Sequence, residues 1–504
     1  MRLRRLLQPE ILIAVLAVAA RIIPGPRTID DAYITFRYAQ NLIAGEGLVY
    51  NPGEAVLGTT TPVYAFLLAG MGLLTGGIRA PFPSLALAVN ALADAATCML
   101  LILLARRLGH PRAGIAASLI WAITPTSVTF AIGGMETSLV IALMTGTLYL
   151  HSSGRPTATA FTAALALLTR PDALILIGPL AVERLRRALP PGRWNLEQVP
   201  LTLREVAAGG LPLVAWAAFG TAIYGNPVPN SILAKVAAYH LPPEAGLVRM
   251  LQHYGTPFFE EGFFGPAAIA VGLLLYPALC VLGAARIVRK EPWTWALLLY
   301  PFAYFAVFSL ANPLIFRWYL APPIPAYLLG IFLGVDILSA DIRRRFPIYA
   351  LATLGLVLTL NAWTLHPDHG ADRPAPEMAF IKLELLYERV AAQLRGRIGP
   401  GEMLAAGDVG ALGYFTGARI LDTIGLISPV SVGYYPLPDS FYVINYAIPP
   451  ALINDQEPEV VVILEVYGRR GLLPDPEFNL DYELEETYPT DLYGSEGMLV
   501  FRRR

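Results

Sequence analysis

The chain has 504 residues, 55% of them hydrophobic and only 15% charged, with a mean hydropathy of +0.53. That balance excludes an ordinary soluble globular protein and reads as a polytopic α-helical membrane protein. A formal net charge of −1 supplies no global field toward nucleic acid, so the informative quantity is where the charges lie along the chain.

Crossing the hydrocarbon core takes about 20 apolar residues. Such segments fall at roughly 9–24, 84–105, 113–131, 137–151, 156–169, 173–187, 206–224, 266–286, 293–311, 318–338 and 346–365, giving about eleven spans. The first follows Arg2, Arg4 and Arg5 and reads as an anchor rather than a cleaved signal, with its far end outside. Pro62–Gly77 is short and glycine-rich, and counting it as a span would invert every later loop. Left outside, it places Arg106/Arg107/Arg112, Arg184/Arg186/Arg187/Arg193/Arg204, Arg286/Arg289/Lys290 and Arg343/Arg344/Arg345 on the cytoplasmic side. The expected topology is therefore an inner (plasma) membrane protein with the N-terminus cytoplasmic and the C-terminus extracytoplasmic. Cys98 and Cys280 lie within apolar segments and read as packing residues.

The expected division is a membrane domain over 1–365, with a first external loop at 25–83, and a soluble extracytoplasmic α/β domain over 366–504. The second part has an acidic excess and no long apolar run. Glu377–Leu394 has helical spacing, Val460–Leu464 reads as a buried strand and Asp481–Tyr488 as a half-exposed one.

The first external loop opens with adjacent carboxylates, Asp30 and Asp31. Thr28-Ile29-Asp30-Asp31 fits a capping box that starts a helix running to about Ala44 and closed by Gly45. The same acids, beside Tyr33, Phe36, Arg37 and Tyr38 at a membrane edge, also suit a site, because neighbouring carboxylates raise one pKa toward the range of a general base. Four further motifs fall on the same expected side. Glu136 sits in GGMET, and Arg170 and Asp172 in TRPDA, as a site or a local ion pair. Asn230 and Lys235 follow a proline-rich turn, and Arg317 and Tyr319 lie in an aromatic run at the mouth of a span. If they converge, a carboxylate activates an acceptor hydroxyl while a cation stabilises a departing phosphate.

DDAYITFRYAQNLIAGEGLVYNPGE, GGMETS, TRPDA, YGNPVPNSILAK, RWYLAPPIP and DVGALGYFTGARILDTIGLISP resemble bacterial C-type (GT-C) glycosyltransferases. Among these they are similar to the terminal β-1,2-arabinofuranosyltransferases of mycobacterial and corynebacterial cell-wall assembly. The resemblance implies a multi-span fold with a catalytic acidic motif in the first external loop and an external C-terminal domain. It also implies a polyprenyl-phosphate sugar as donor, with arabinofuranose or a hexose as the sugar, and an extracytoplasmic glycan, lipid or protein as acceptor. Carried over by position, Asp30 and Asp31 become catalytic base and acceptor-binding residue. Arg37, Glu136, Arg170, Asp172, Asn230, Lys235, Arg317 and Tyr319 become substrate contacts.

Asp408-Val409-Gly410-Ala411-Leu412-Gly413 lacks the spacing of a nucleotide-binding loop and reads as a tight turn. His366 and His369 lie in a linker, and metal-independent transfer is expected, with no cofactor. The alternative from another class is a transporter or lipid-carrier flippase, which places ionisable residues at mid-membrane; Asp94 is nearly the only such acid. A third reading makes the external domain a carbohydrate-binding or assembly module.

Overall fold

The computed structural model describes residues 8–188, 203–365, 370, 373–399 and 401–504; Arg2, Arg4, Arg5, Arg193, His366 and His369 lie outside the described residues. Each expected span coincides with a helix or a bent helix pair. Length sorts them. Among the described residues five helices are long and apolar enough to cross a membrane: Phe82–Arg107, Leu203–Tyr224, Ala267–Lys290, Thr294–Ala311 and Arg317–Asp341. A sixth span is the pair Pro111–Ile123 and Pro125–Ile132, bent by 49°. The others, Pro9–Ile22, Thr137–Ser152, Pro156–Thr169, Leu174–Ala188 and Phe346–Asn361, have 14 to 16 residues. At about 1.5 Å per residue these fall short of a hydrocarbon core of about 30 Å. Of the eleven expected spans, five, or six with the bent pair, are long and apolar enough to cross among the described residues.

The chain divides into two compact units, each built from non-contiguous segments. One comprises residues 1–27, 83–215 and 244–380; the other comprises 28–82, 216–243 and 381–504. This differs from a boundary at 366, because the first external loop packs with the C-terminal segment through contacts that sequence spacing does not reveal.

In the first unit the bent pair breaks where Pro125 lacks an amide hydrogen and Thr124 takes an extended conformation, with φ −61° and ψ 136°. Arg21 spans that break. Its guanidinium donates to the Ala17 carbonyl at 3.0 Å, and to the Ala122 carbonyl and Ser127 hydroxyl on either side of the proline. Its Nε donates to Asp94 at 3.0 Å, and Asp94 also accepts from Trp121 Nε1 at 3.2 Å and Ser138 at 2.9 Å. Both charged side chains are wholly buried. Asp94, the acid deepest in a span, is occupied in holding a broken helix.

The second unit contains a five-stranded sheet of β1 (Met403–Ala406), β2 (Arg419–Asp422), β3 (Val460–Leu464), β4 (Tyr482–Pro489) and β5 (Gly497–Arg503), in the order β2-β1-β3-β5-β4. β2, β1 and β3 are parallel, while β5 and β4 run antiparallel. Val460–Leu464 is buried at every position, as its unbroken aliphatic run requires of a central strand. Edge strand β2 is covered by the first loop: Asn51 Nδ2 donates to the Ile420 carbonyl at 2.9 Å, and the Ile420 amide donates to Asn51 Oδ1 at 3.0 Å.

Candidate active site

The helix Asp30–Ala44 forms as expected and ends on Gly45 in the left-handed region, with φ +87°. Its start differs from a capping box. The N-cap is Ile29, with no side-chain cap, and Asp30 turns away from its own helix. Asp30 Oδ1 accepts from the Ala411 amide at 2.8 Å and Oδ2 from the Gly410 amide at 2.9 Å. These are the first amides of the helix Gly410–Thr416, the positive end of its dipole. Seven residues on, Arg37 serves the opposite end. Its guanidinium donates to the Gly413 carbonyl, to the Ala418 carbonyl at 2.6 Å and to the Tyr50 carbonyl at 2.9 Å, and lies 4.4 Å from the centre of the Tyr50 ring. One helix face thus clamps another helix at both ends, an anion on its N-terminus and a cation on its C-terminus.

The close approach explains two glycines. A Cβ on Gly410 would lie 1.8 Å from the Asp30 carbonyl oxygen, and one on Gly413 would lie 1.9 Å from the Tyr50 hydroxyl. The segment taken for a plain tight turn is therefore a strand–bend–helix junction that receives the first-loop acids. Arg37, expected as a substrate contact, spends its donors on backbone carbonyls and is buried.

The clamp brings Asp30 and Asp31 to Asp408, at the carboxyl end of β1, and to Glu384, on the helix Lys382–Leu394. Asp30 is buried, whereas Asp31, Asp408 and Glu384 are half-buried. Tyr387 donates its hydroxyl to Asp408 Oδ2 at 2.6 Å, and Tyr239 lies in the field of Asp31 and Asp408. Among the described residues none of these four acids forms an ion pair. Burial, then the charge of Asp408, pushes the Asp30 carboxyl well above the usual range against the two amide bonds. Burial likewise raises Asp408 to about 6, with Asp31 adding to it, and Glu384 to about 7. Asp408 and Glu384 escape sequence reading because each is one acid in an acidic domain. The Gly410/Gly413 spacing was the available signal of a helix packed unusually close.

Four other expected residues meet in the first unit. Arg170 Nε donates to Asp172 Oδ1 at 2.9 Å and a terminal nitrogen donates to Oδ2 at 3.0 Å; the other donates to Glu136 at 3.3 Å. The guanidinium lies 4.9 Å from the Tyr319 ring centre, and Tyr304 donates to Asp172 at 3.1 Å and to the Tyr319 carbonyl at 2.7 Å. Arg317 is exposed, with no ion pair among the described residues. Asn230, in the second unit, donates its amide to the Gly425 carbonyl at 2.5 Å and starts the helix Asn230–Ala238, on which Lys235 is half-buried. Among the described residues no group of three or more His, Cys, Asp and Glu is arranged to hold a metal ion.

Superposition on solved structures decides the architecture. The chain matches ArnT from Cupriavidus metallidurans bound to undecaprenyl phosphate over 98% of its own length and 97% of that chain, with a TM-score of 0.59 and 13% identity. It matches the Archaeoglobus fulgidus oligosaccharyltransferase complex with Zn and sulfate over 98% of its length and 73% of that chain, with a TM-score of 0.58 and 13% identity. The chain has the GT-C fold. Residues 379–501 match a family described as a domain of unknown function (DUF8728). A terminal beta-(1->2)-arabinofuranosyltransferase of Mycobacterium tuberculosis (strain ATCC 25618 / H37Rv) is 33% identical over 229 residues, which is 42% of this chain. That match spans 35% of the relative's length.

Proposed function

We propose that this GT-C chain is an integral membrane glycosyltransferase that moves a sugar from a polyprenyl phosphate to an extracytoplasmic cell-envelope glycan, lipid or protein, with arabinofuranose the leading candidate sugar. The observation that carries the reading is the group of half-buried carboxylates without cationic partners, Asp31, Asp408 and Glu384, assembled by the Asp30–Arg37 clamp. The GT-C fold and the arabinofuranosyltransferase relative support the donor class.

In this reading Asp31 takes the proton from the acceptor hydroxyl. The acceptor oxygen bonds to the anomeric carbon, and the bond from that carbon to the phosphate oxygen breaks, its electron pair leaving with the polyprenyl phosphate. Asp30 is a positioning residue: both its oxygens are engaged by backbone amides, which favours the neighbouring Asp31 as base. Lys235, half-buried on the helix Asn230–Ala238 of the same unit, is the cation proposed to meet the departing phosphate. A transporter needs a mid-membrane acid free for cargo, and Asp94 is fully engaged by Arg21, Trp121 and Ser138.

The test is transfer from a panel of radiolabelled polyprenyl-phosphate sugars in membranes holding wild type, Asp30→Asn or Asp31→Asn at matched folded amounts. The expected result is transfer from one donor by wild type and a loss of about 10²–10⁴-fold in Asp31→Asn. Undiminished transfer by Asp31→Asn removes the proposed base.

A further inference from the structure

Far along the chain from the acid cluster, three of the long apolar helices of the first unit end around one cavity of about 390 Å³. Its walls come from the C-terminal turns of Phe82–Arg107, Ala267–Lys290 and Arg317–Asp341. Leu108, Ile287 and Ile337 supply an apolar side, and Arg107, Arg286 and Lys290 supply cations.

The cations are not equivalent. Arg286 pairs with Asp341 at 2.7 Å, and Arg107 donates to the Ser152 carbonyl at 2.6 Å. The second lining acid, Glu291, accepts from Trp293 Nε1 at 3.0 Å. Lys290 is exposed and has no ion pair among the described residues, and neither have the exposed Arg343, Arg344 and Arg345 in the turn that follows Asp341. Helix dipoles account for a cation on each last turn. They do not account for a cavity lined by three helix ends, nor for an arginine run beyond the end of the third.

We propose that this cavity binds the phosphate headgroup of an anionic membrane phospholipid, with Lys290 as the principal cation, Arg107 and Arg286 beside it, and the Leu108, Ile287 and Ile337 side against the first acyl carbons. Three apolar helices of membrane-spanning length end here, so a cationic cavity at this level meets lipid headgroups before any soluble anion. The inference goes beyond the transfer reading and stands without it.

The full-length protein, stripped of lipid in neutral detergent, is titrated with phosphatidylglycerol, phosphatidylcholine or inorganic phosphate and bound ligand is counted by native mass spectrometry. Wild type is expected to retain phosphatidylglycerol in preference to phosphatidylcholine. Affinity should fall about fivefold in Lys290→Gln and about as much again on adding Arg286→Gln, since a juxtamembrane cation contributes about that factor. Lys290→Arg should keep the preference, and Arg389→Gln with Arg395→Gln, in the other unit, should leave it unchanged. Both test positions are exposed, so unfolding temperatures should match wild type and separate a lost site from a lost fold. Equal retention of the two lipids by wild type, equal retention by wild type and the Lys290→Gln/Arg286→Gln variant, or displacement of the lipid by an equal amount of inorganic phosphate would overturn the proposal.

Discussion

Two sets of acids, one in each unit, live in opposite circumstances. In the first unit Asp94 has Arg21, Glu136 and Asp172 share Arg170, Glu10 has Arg106 and Glu205 has Arg184. In the second, Asp30, Asp31, Asp408 and Glu384 gather beside backbone amides and tyrosines, with no ion pair among the described residues. A buried carboxylate beside a guanidinium holds helices in place. Carboxylates crowded without a cation resist ionisation and are poised to exchange protons. Neutralisation, more than burial, separates the acids that build this molecule from those proposed to work.

Arg170→Met removes the guanidinium shared by buried Glu136 and half-buried Asp172, and an unfolding titration should register a loss of about 3–5 kcal/mol; a loss under 1 kcal/mol would mean that the triad is not structural. Gly410→Ala drives a methyl into the Asp30 backbone and should cost about 1–3 kcal/mol in the same assay, with transfer falling as the clamp opens.

The pH dependence follows from the raised acids. Asp408, at about 6 against an ordinary 3.8, and Glu384, at about 7 against 4.5, keep protons that the unfolded chain has already released. The folded state therefore binds more protons across that window, so these groups' contribution to stability declines as pH rises from about 4 to about 7. Transfer, which needs carboxylates, should rise over the upper part of the same window. Glu384→Gln should remove the portion near 7, which a pH–rate series would read directly. The smallest effect belongs to Arg317→Ala: exposed and with no ion pair among the described residues, it should change stability by no more than about 0.5 kcal/mol, which an unfolding titration reads.

Local pattern made some of this legible. The Asp30–Ala44 helix with its Gly45 stop and the Val460–Leu464 strand were readable because their signals lie within one turn or one aliphatic run. The clamp was not, since Asp30 meets Gly410 at a separation of 380 positions and Arg37 meets Gly413 at 376. Arg37 looked like a substrate cation for the same reason: an arginine among aromatics carries no mark that says whether it will find a phosphate or a helix end. The break at Thr124–Pro125 had a local cause in proline, yet its partner Arg21 stands in an earlier helix. Helix length is not announced by composition: Pro156–Thr169 and Phe346–Asn361 are apolar helices of only 14 and 16 residues.

The most direct test sets one acid from each group side by side, Asp31→Asn against Asp172→Asn, measuring both sugar transfer per folded molecule and the unfolding midpoint. The account predicts that Asp31→Asn unfolds no earlier than wild type yet loses transfer by about 10²–10⁴-fold, while Asp172→Asn unfolds earlier because Arg170 loses its bidentate partner. An Asp31→Asn protein that transfers sugar at the wild-type rate would contradict it.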